Sequence, residues 1–382
     1  MTGRYLFVTV EGMSSPVSSL LTSRDNSLNA VRLGLAAAVI LAHSWPLGGY
    51  GASAMERFGT IGVNGFFALS GLLIAGSRLR NGFGTYIWRR AKRIFPGFWA
   101  CLAVTGFVLA PLGGVIGGHG WNPADSLAYV LDNAALVMTT PAIGGTLAGA
   151  PNPGMWNGSL WTLMYEFAAY LLCGAALGIV WVRRHLVASA AVAAVALPLL
   201  SWWVGELSGA AHMITSALRL FTFFAVGVLA YALRDWLRTT TPLAALSVVA
   251  VAGLTVASES ALNLLGAVPL TYALLHVGGT WRTSIAARED HSYGLYVYGW
   301  PVQQVLGMLG LGAIVPAPVF ALVSFACVLP LAVLSWRLVE RPAMRVSLPS
   351  LPTRPTGDLH VADQPRRHVE RAEVRLPLST PR

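Results

Sequence analysis

A chain of 382 residues in which 55% are hydrophobic and only 11% are charged cannot hide its apolar surface in one soluble core; a soluble domain carries about a quarter of its residues as Asp, Glu, Lys and Arg. The net charge of +10 would suit nucleic acid in a soluble protein, but here the cations fall between apolar blocks and in the tail, where they serve as topology signals and headgroup anchors. Nucleic acid is therefore not an expected partner. Cys101, Cys173 and Cys327 lie inside apolar blocks without ligand spacing, so neither a disulfide framework nor a metal site is expected.

Residues 1–27 form an N-terminal cytoplasmic segment in this reading. Tyr5–Val10 is too short for a signal-peptide core, and Met13, followed by Ser14, Ser15 and Pro16, is a second candidate start. Apolar blocks then recur at 28–47, 60–77, 95–116, 158–180, 186–204, 216–233, 241–257, 262–279, 291–312 and 316–337. Each is long enough for an α-helix to cross about 30 Å of hydrocarbon. The expectation is an all-α, polytopic membrane bundle of about ten transmembrane helices over 28–342. Arg78, Arg80, Arg89, Arg90, Lys92 and Arg93 crowd the loop 78–94; Arg183, Arg184, Arg234, Arg238, Arg282 and Arg288 fall in later loops on the same side, and Arg337, Arg341 and Arg345 mark the exit. The alternate loops hold only Arg57, which places both termini in the cytoplasm. The Gly-, Pro- and Asn-rich segment 117–157 reads as an outer loop with a short interfacial helix at Leu127–Met138, and 343–382 as a disordered cytoplasmic tail. No internal repeat or broken helix is visible.

Ionisable groups at membrane depth are expensive and mark function by default. They are Arg32, His43, Glu166, Arg219 and, near a helix end, His276. Arg32 and His43 are eleven residues apart, which puts them on one helix face about 16 Å apart along the axis. That span matches an extended pantetheine arm, with phosphates at one end and a thioester at the other. Glu166, counted from the outer end of its block, lies about 12 Å deep, near the level of His43. Such a pair would keep the carboxylate ionised and raise the basicity of the imidazole, as a general base needs. Each residue alone reads equally well as a structural polar lock; the shared depth favours the reactive pair. The run Arg89, Arg90, Lys92, Arg93 reads either as a phosphate site or as positive-inside anchoring. Arg219 needs a watery cavity or an acidic partner, Glu206 or Glu166. Trp156, Trp161, Trp202 and Trp203 read as interfacial belt anchors.

The order of motifs resembles the acyltransferase-3 family of bacterial integral-membrane O-acyltransferases over about residues 26–342. Asn29 to Arg32 and then His43 resemble its first-helix signature, Gly62–Ile74 its second-helix motif, Trp88–Pro96 its basic loop, and Trp156–Glu166 its tryptophan and glutamate motif. Asp290–Tyr296 through Trp300-Pro301 and the closing Glu340-Arg341-Pro342 complete the order. The resemblance implies a ten-helix bundle that takes acetyl-CoA or another acyl-CoA from the cytoplasm and acylates an acceptor, often a sugar. It casts His43 as the base and Arg32 and the basic loop, with Arg89, Arg90 and Arg93, as donor-binding or structural groups; Glu166 joins His43 on the depth argument above. Asn157, Trp161, Tyr165, Arg219, Ser292 and Tyr293 are expected to support the acceptor or the structure. Many members have Asp where Asn29 stands and His where Gly299 stands, so neither position is counted as catalytic, and no esterase-like domain is expected after the last helix.

The expected function is transfer of an acyl, most simply acetyl, group from acyl-CoA to a hydroxyl of a sugar-containing acceptor such as an envelope glycan, in the bacterial cytoplasmic (inner) membrane. Acyl-CoA is a co-substrate, and no permanently bound cofactor or metal is expected. Alternatives are a transporter or flippase of envelope precursors, an O-acyltransferase of a glycosylated secondary metabolite, and a silent sensor of the same fold.

Overall fold

The computed structural model describes residues 16–22, 27–208, 212–281, 283 and 289–347. The described residues up to Val346 belong to one compact unit; residues 348–382 of the expected disordered tail, the second candidate start, and Arg282 and Arg288 lie outside the described residues, while the first residues of that tail, 343–345, are helical.

In chain order the helices are α1 (Val17–Thr22), α2 (Leu28–Gly48), α3 (Glu56–Leu79), α4 (Phe83–Val104), α5 (Ala110–Gly117), α6 (Pro123–Asn133), α7 (Trp161–Ala176), α8 (Val180–Arg184) and α9 (Leu186–Ser208). There follow α10 (His212–Ala232), α11 (Thr241–Ala257), α12 (Glu259–Leu265), α13 (Ala267–Thr280), α14 (Ser292–Met308), α15 (Leu311–Ile314), α16 (Ala317–Ser335) and α17 (Arg341–Arg345). A π-turn at Thr105–Leu109 joins α4 to α5 in one rod, and a second at Trp336–Glu340 joins α16 to α17. Among the described residues there is no strand, only one antiparallel bridge between Pro16 and Arg238.

Each apolar block read from the sequence is helical, but six helical rods are long and apolar enough to cross a membrane, or seven counting one bent pair. α7, α11 and α14 have 16, 17 and 17 residues and fall short of that length. The bent pair is a broken helix that the sequence did not reveal: α12 and α13 meet at Gly266 with a 69° bend. There a Cβ would lie 2.4 Å from the Leu262 carbonyl oxygen, so only glycine fits.

Small residues set the closest crossings, because backbones approach only where no side chain intervenes. A Cβ on Gly71 of α3 would lie 2.0 Å from the Phe224 carbonyl oxygen of α10, and one on Gly227 of α10 would lie 2.0 Å from that of Ala68. Gly62 and Gly65 of α3 likewise abut Leu35 and Val39 of α2.

The segment between α5 and α7 is packed into the bundle. Its helix α6 begins four residues before the expected Leu127, because Asn122 caps it by accepting the Ala124 N–H at 3.0 Å and Pro123 stands at the first helical position. Tyr129, Asn133 and Trp156 are fully buried. Trp156 is therefore no belt anchor: its indole N–H donates to Thr146 Oγ1 at 2.9 Å. Trp202 and Trp203, by contrast, stand exposed on α9.

Candidate active site

Two arginines and two carboxylates close one end of the bundle, called here the basic end. Arg32 of α2 pairs with Asp290 at 3.1 Å; Arg93 of α4 bridges Asp290 and, at 3.3 Å, Glu340. Four groups of opposite sign neutralise one another, the condition under which charges survive burial. The remaining lone pairs are also used. Asp290 Oδ1 accepts the Ser292 N–H at 3.2 Å and the Ser292 hydroxyl, and Glu340 Oε1 accepts the Ser335 hydroxyl at 3.0 Å. The Arg93 guanidinium lies 5.6 Å from the ring centroids of both Tyr293 and Trp336. Burial alone would raise the Asp290 carboxyl, but Arg32, Arg93 and the Ser292 bonds hold it well below the usual carboxylate range. Arg32 and Arg93, expected to bind donor phosphates, are thus already committed to protein carboxylates. Arg89 stands exposed.

Above this cluster lies a narrow cavity of about 60 Å³ whose lining includes Arg32, Ser70, Arg90, Arg93, Glu166, Tyr170 and Tyr296. The buried Arg90 Nε has no hydrogen-bond partner among the described residues. Glu166 Oε1 accepts the Ser70 hydroxyl at 3.0 Å and the Tyr170 hydroxyl.

This arrangement corrects the expected pairing of Glu166 with His43. Gly65 of α3 packs against Leu35 of α2, so Ser70, five residues further along α3, lies level with the first turn or two of α2, where Arg32 sits. Glu166, bonded to Ser70, shares that level; five residues back from Leu35 is position 30, thirteen residues and so about 20 Å from His43 along the axis. The depth count failed because α7 does not start at the bundle's far end. Asn157, just before it, is already buried, and its amide donates at 2.8 Å to the carbonyl of Val297, the sixth residue of α14, on the basic-end side of Trp300. His43 is half-buried and instead packs edge-on against Trp300, with ring centroids 4.7 Å apart; the Trp300 indole N–H donates to the Met155 carbonyl at 3.4 Å. His43 does not line the cavity. Between the two, Phe66 and Tyr296 meet edge-on at 5.8 Å.

The remaining candidates hold the scaffold. The Tyr293 hydroxyl donates to the Ile94 carbonyl at 2.7 Å, Ser292 caps Asp290, Trp161 packs edge-on against Tyr165, and the Tyr165 hydroxyl donates to the Met213 carbonyl at 3.2 Å. Arg219 pairs at 3.5 Å with Glu259 and lines a separate polar cavity of about 260 Å³. Glu259 was not among its expected partners; the Glu206 side chain lies outside the described residues. His276 bonds Thr239 at 3.2 Å. Asp290, Glu340, Ser70 and Tyr170 are the site residues that sequence reasoning missed. The first three stand within the quoted motifs, but nothing in their spacing reveals who meets whom; Tyr170 was detectable, being four residues after Glu166 on one helix face.

An all-helical chain with several membrane-length apolar rods, enclosing a buried ionic lock and a polar cavity, is a multi-pass membrane protein with an internal site. The sequence pattern of the acyltransferase-3 family, described as an acyltransferase domain, matches residues 25–337, and the chain belongs to that family. It is similar, at 28% identity over 350 residues (86% of this chain and 98% of the relative), to a protein of Shigella phage Sf6 named O-acetyl transferase. A Nodulation protein 10 of Rhizobium leguminosarum bv. viciae is 28% identical over 374 residues, covering 87% of this chain and 96% of the relative. No solved structure matches. The protein is a membrane O-acyltransferase.

Proposed function

We propose that the donor is acyl-CoA, that the group moved is acetyl, and that the acceptor is a hydroxyl of a sugar-containing molecule such as an envelope glycan. In this reading the bundle is a ten-helix unit of the bacterial cytoplasmic membrane with both termini inside, so the basic end faces the donor pool. The observation that carries it is the cavity at that end, walled by Arg90, whose Nε is left without a bond, and by apolar rings. A guanidinium is the group that matches phosphate oxygens. The acetyl group is supported by the name of the phage relative.

The chemistry is assigned to His43. Its imidazole takes the proton of the acceptor hydroxyl, the oxygen attacks the thioester carbonyl, the carbon–sulfur bond breaks, and the departing thiolate is protonated to CoA–SH. Arg32 lies about 16 Å below on the same helix face, which matches the length of a pantetheine arm. For the thioester to reach the imidazole, the Phe66–Tyr296 contact above the cavity has to part. Glu166 serves the donor end and not the imidazole, since its bonds run to Ser70 and Tyr170.

The test is acyl transfer in membranes carrying His43→Ala, followed as loss of acetyl ester from envelope glycans by mass spectrometry. We expect a fall of at least about 10²-fold, the usual size of a general-base contribution. Wild-type turnover at normal expression would remove His43 from the mechanism.

A further inference from the structure

Among the described residues Glu166 is the only carboxylate that lines the cavity, and the ionic lock does not engage it. Asp290 and Glu340 take Arg32 and Arg93, and among the described residues no cation lies in ion-pair range of Glu166. Its Oε1 is fully used by Ser70 and Tyr170; Oε2 makes no bond among the described residues, and the side chain lines the cavity. Two hydroxyl donors on one oxygen fix the carboxylate in place, so the other oxygen is a preset acceptor. An ionised carboxylate repels phosphate and rewards a neutral N–H or O–H donor. The cavity therefore sorts an arm by charge, with anions at Arg90 and neutral donors at Glu166.

We infer that Glu166 reads the pantoyl end of the donor's pantetheine arm, its Oε2 accepting a hydrogen bond from the pantoyl hydroxyl or the adjoining amide while the diphosphate stays at Arg90. The inference rests on the acyl-CoA reading above. Its geometry is set by length: eleven bonds separate the thioester carbonyl carbon from the pantoyl hydroxyl oxygen, about 13 Å in extended form at about 3.5 Å per three bonds. Adding a contact of about 3 Å at each end, one from the pantoyl hydroxyl to Oε2 and one for the acceptor oxygen between carbonyl and imidazole, gives about 19 Å, close to the axial separation of about 20 Å between His43 and the level of Glu166. An arm with its carbonyl against the acceptor oxygen at the imidazole thus presents that hydroxyl to Oε2.

The experiment titrates the detergent-purified full chain with three thioesters that each lack one further segment: acetyl-CoA, acetyl-pantetheine and S-acetyl-N-acetylcysteamine. The wild type should bind acetyl-pantetheine about tenfold more tightly than the cysteamine thioester, the size expected of one charge-assisted bond. Glu166→Gln should erase that step while keeping the further gain from pantetheine to CoA. Arg90→Gln should do the reverse. If Glu166→Gln weakens all three donors equally, or leaves the pantetheine step intact, the assignment is overturned while the acyl-CoA reading stands. If the wild type binds none of the three, the acyl-CoA reading itself falls. Should Glu166→Gln fail to fold, Tyr170→Phe, which releases Oε1 and loosens the carboxylate, must shrink the same step; an unchanged step overturns the inference.

Discussion

At the scale of single residues, the basic end is held by charge that has been matched group for group. Asp290 is its hub, bonded to Arg32, Arg93 and Ser292 at once. Removing one partner from a buried pair leaves the other charge uncompensated and costs about 3–5 kcal/mol, so Asp290→Asn should lower the melting temperature of the detergent-purified protein. The pH dependence has a definite sign. The folded Asp290 carboxyl lies below its unfolded value of about 3.9. Its stabilisation is therefore fully present above that unfolded value and is lost as pH falls toward the folded one. The melting gap between wild type and Asp290→Asn should accordingly close only below about pH 4. A gap already closed at pH 5 would mean that Asp290 is not held by these pairs. Part of this site was legible in the chain. The eleven-residue interval puts Arg32 and His43 on one face because helix periodicity alone decides it. Glu166 was misplaced because its depth depends on where α7 starts, and that start is set by the buried Asn157 contact with α14, a long-range fact that no local spacing encodes.

At the scale of helices, the crossing of α3 and α10 fixes the position of the α3 wall of the cavity. Gly71 sits one residue after Ser70, the donor to Glu166, and touches the α10 backbone. Gly71→Ala would force its new methyl against the Phe224 carbonyl, so α3 and α10 must separate and Ser70 must shift. The expected cost is about 1–3 kcal/mol from overpacking, with a drop in acyl transfer as Ser70 leaves Glu166. Gly253→Ala in α11 is the control, because its Cβ would meet nothing within 4 Å and helix propensity favours alanine. A Gly71→Ala protein as stable and active as that control would show that the close crossing does not matter. Hydrophobicity over a window located the long apolar helices, since lipid exposure and burial both demand apolar residues. The same signal is blind to the Gly266 bend and to the two π-turns, which arise from local backbone bonding inside otherwise continuous apolar runs.

At the scale of the whole molecule, the basic end and the His43 end lie at opposite ends of α2, so the proposed chemistry joins two compartments only if that helix and its neighbours cross the bilayer in one sense. Arginine counts favour one sense: the stretch 78–94, from the end of α3 into α4, is crowded with them, whereas the loop between α2 and α3 has none before Arg57. α3, with 24 residues, runs between these two loops. At about 1.5 Å per residue it is about 36 Å long, enough to put its ends on opposite faces of the membrane. A cysteine introduced at the exposed Ala54, just before α3, should therefore react with a membrane-impermeant maleimide on intact cells, and one at the exposed Arg80, just after it, only once the cells are opened. Cys101, Cys173 and Cys327 are replaced by Ala in both proteins to remove background. If the labelling were reversed, the cavity would open away from the cytoplasm and acyl-CoA could not be its donor. If both positions labelled from outside, α3 would not span, and the basic end would again face away from the acyl-CoA pool.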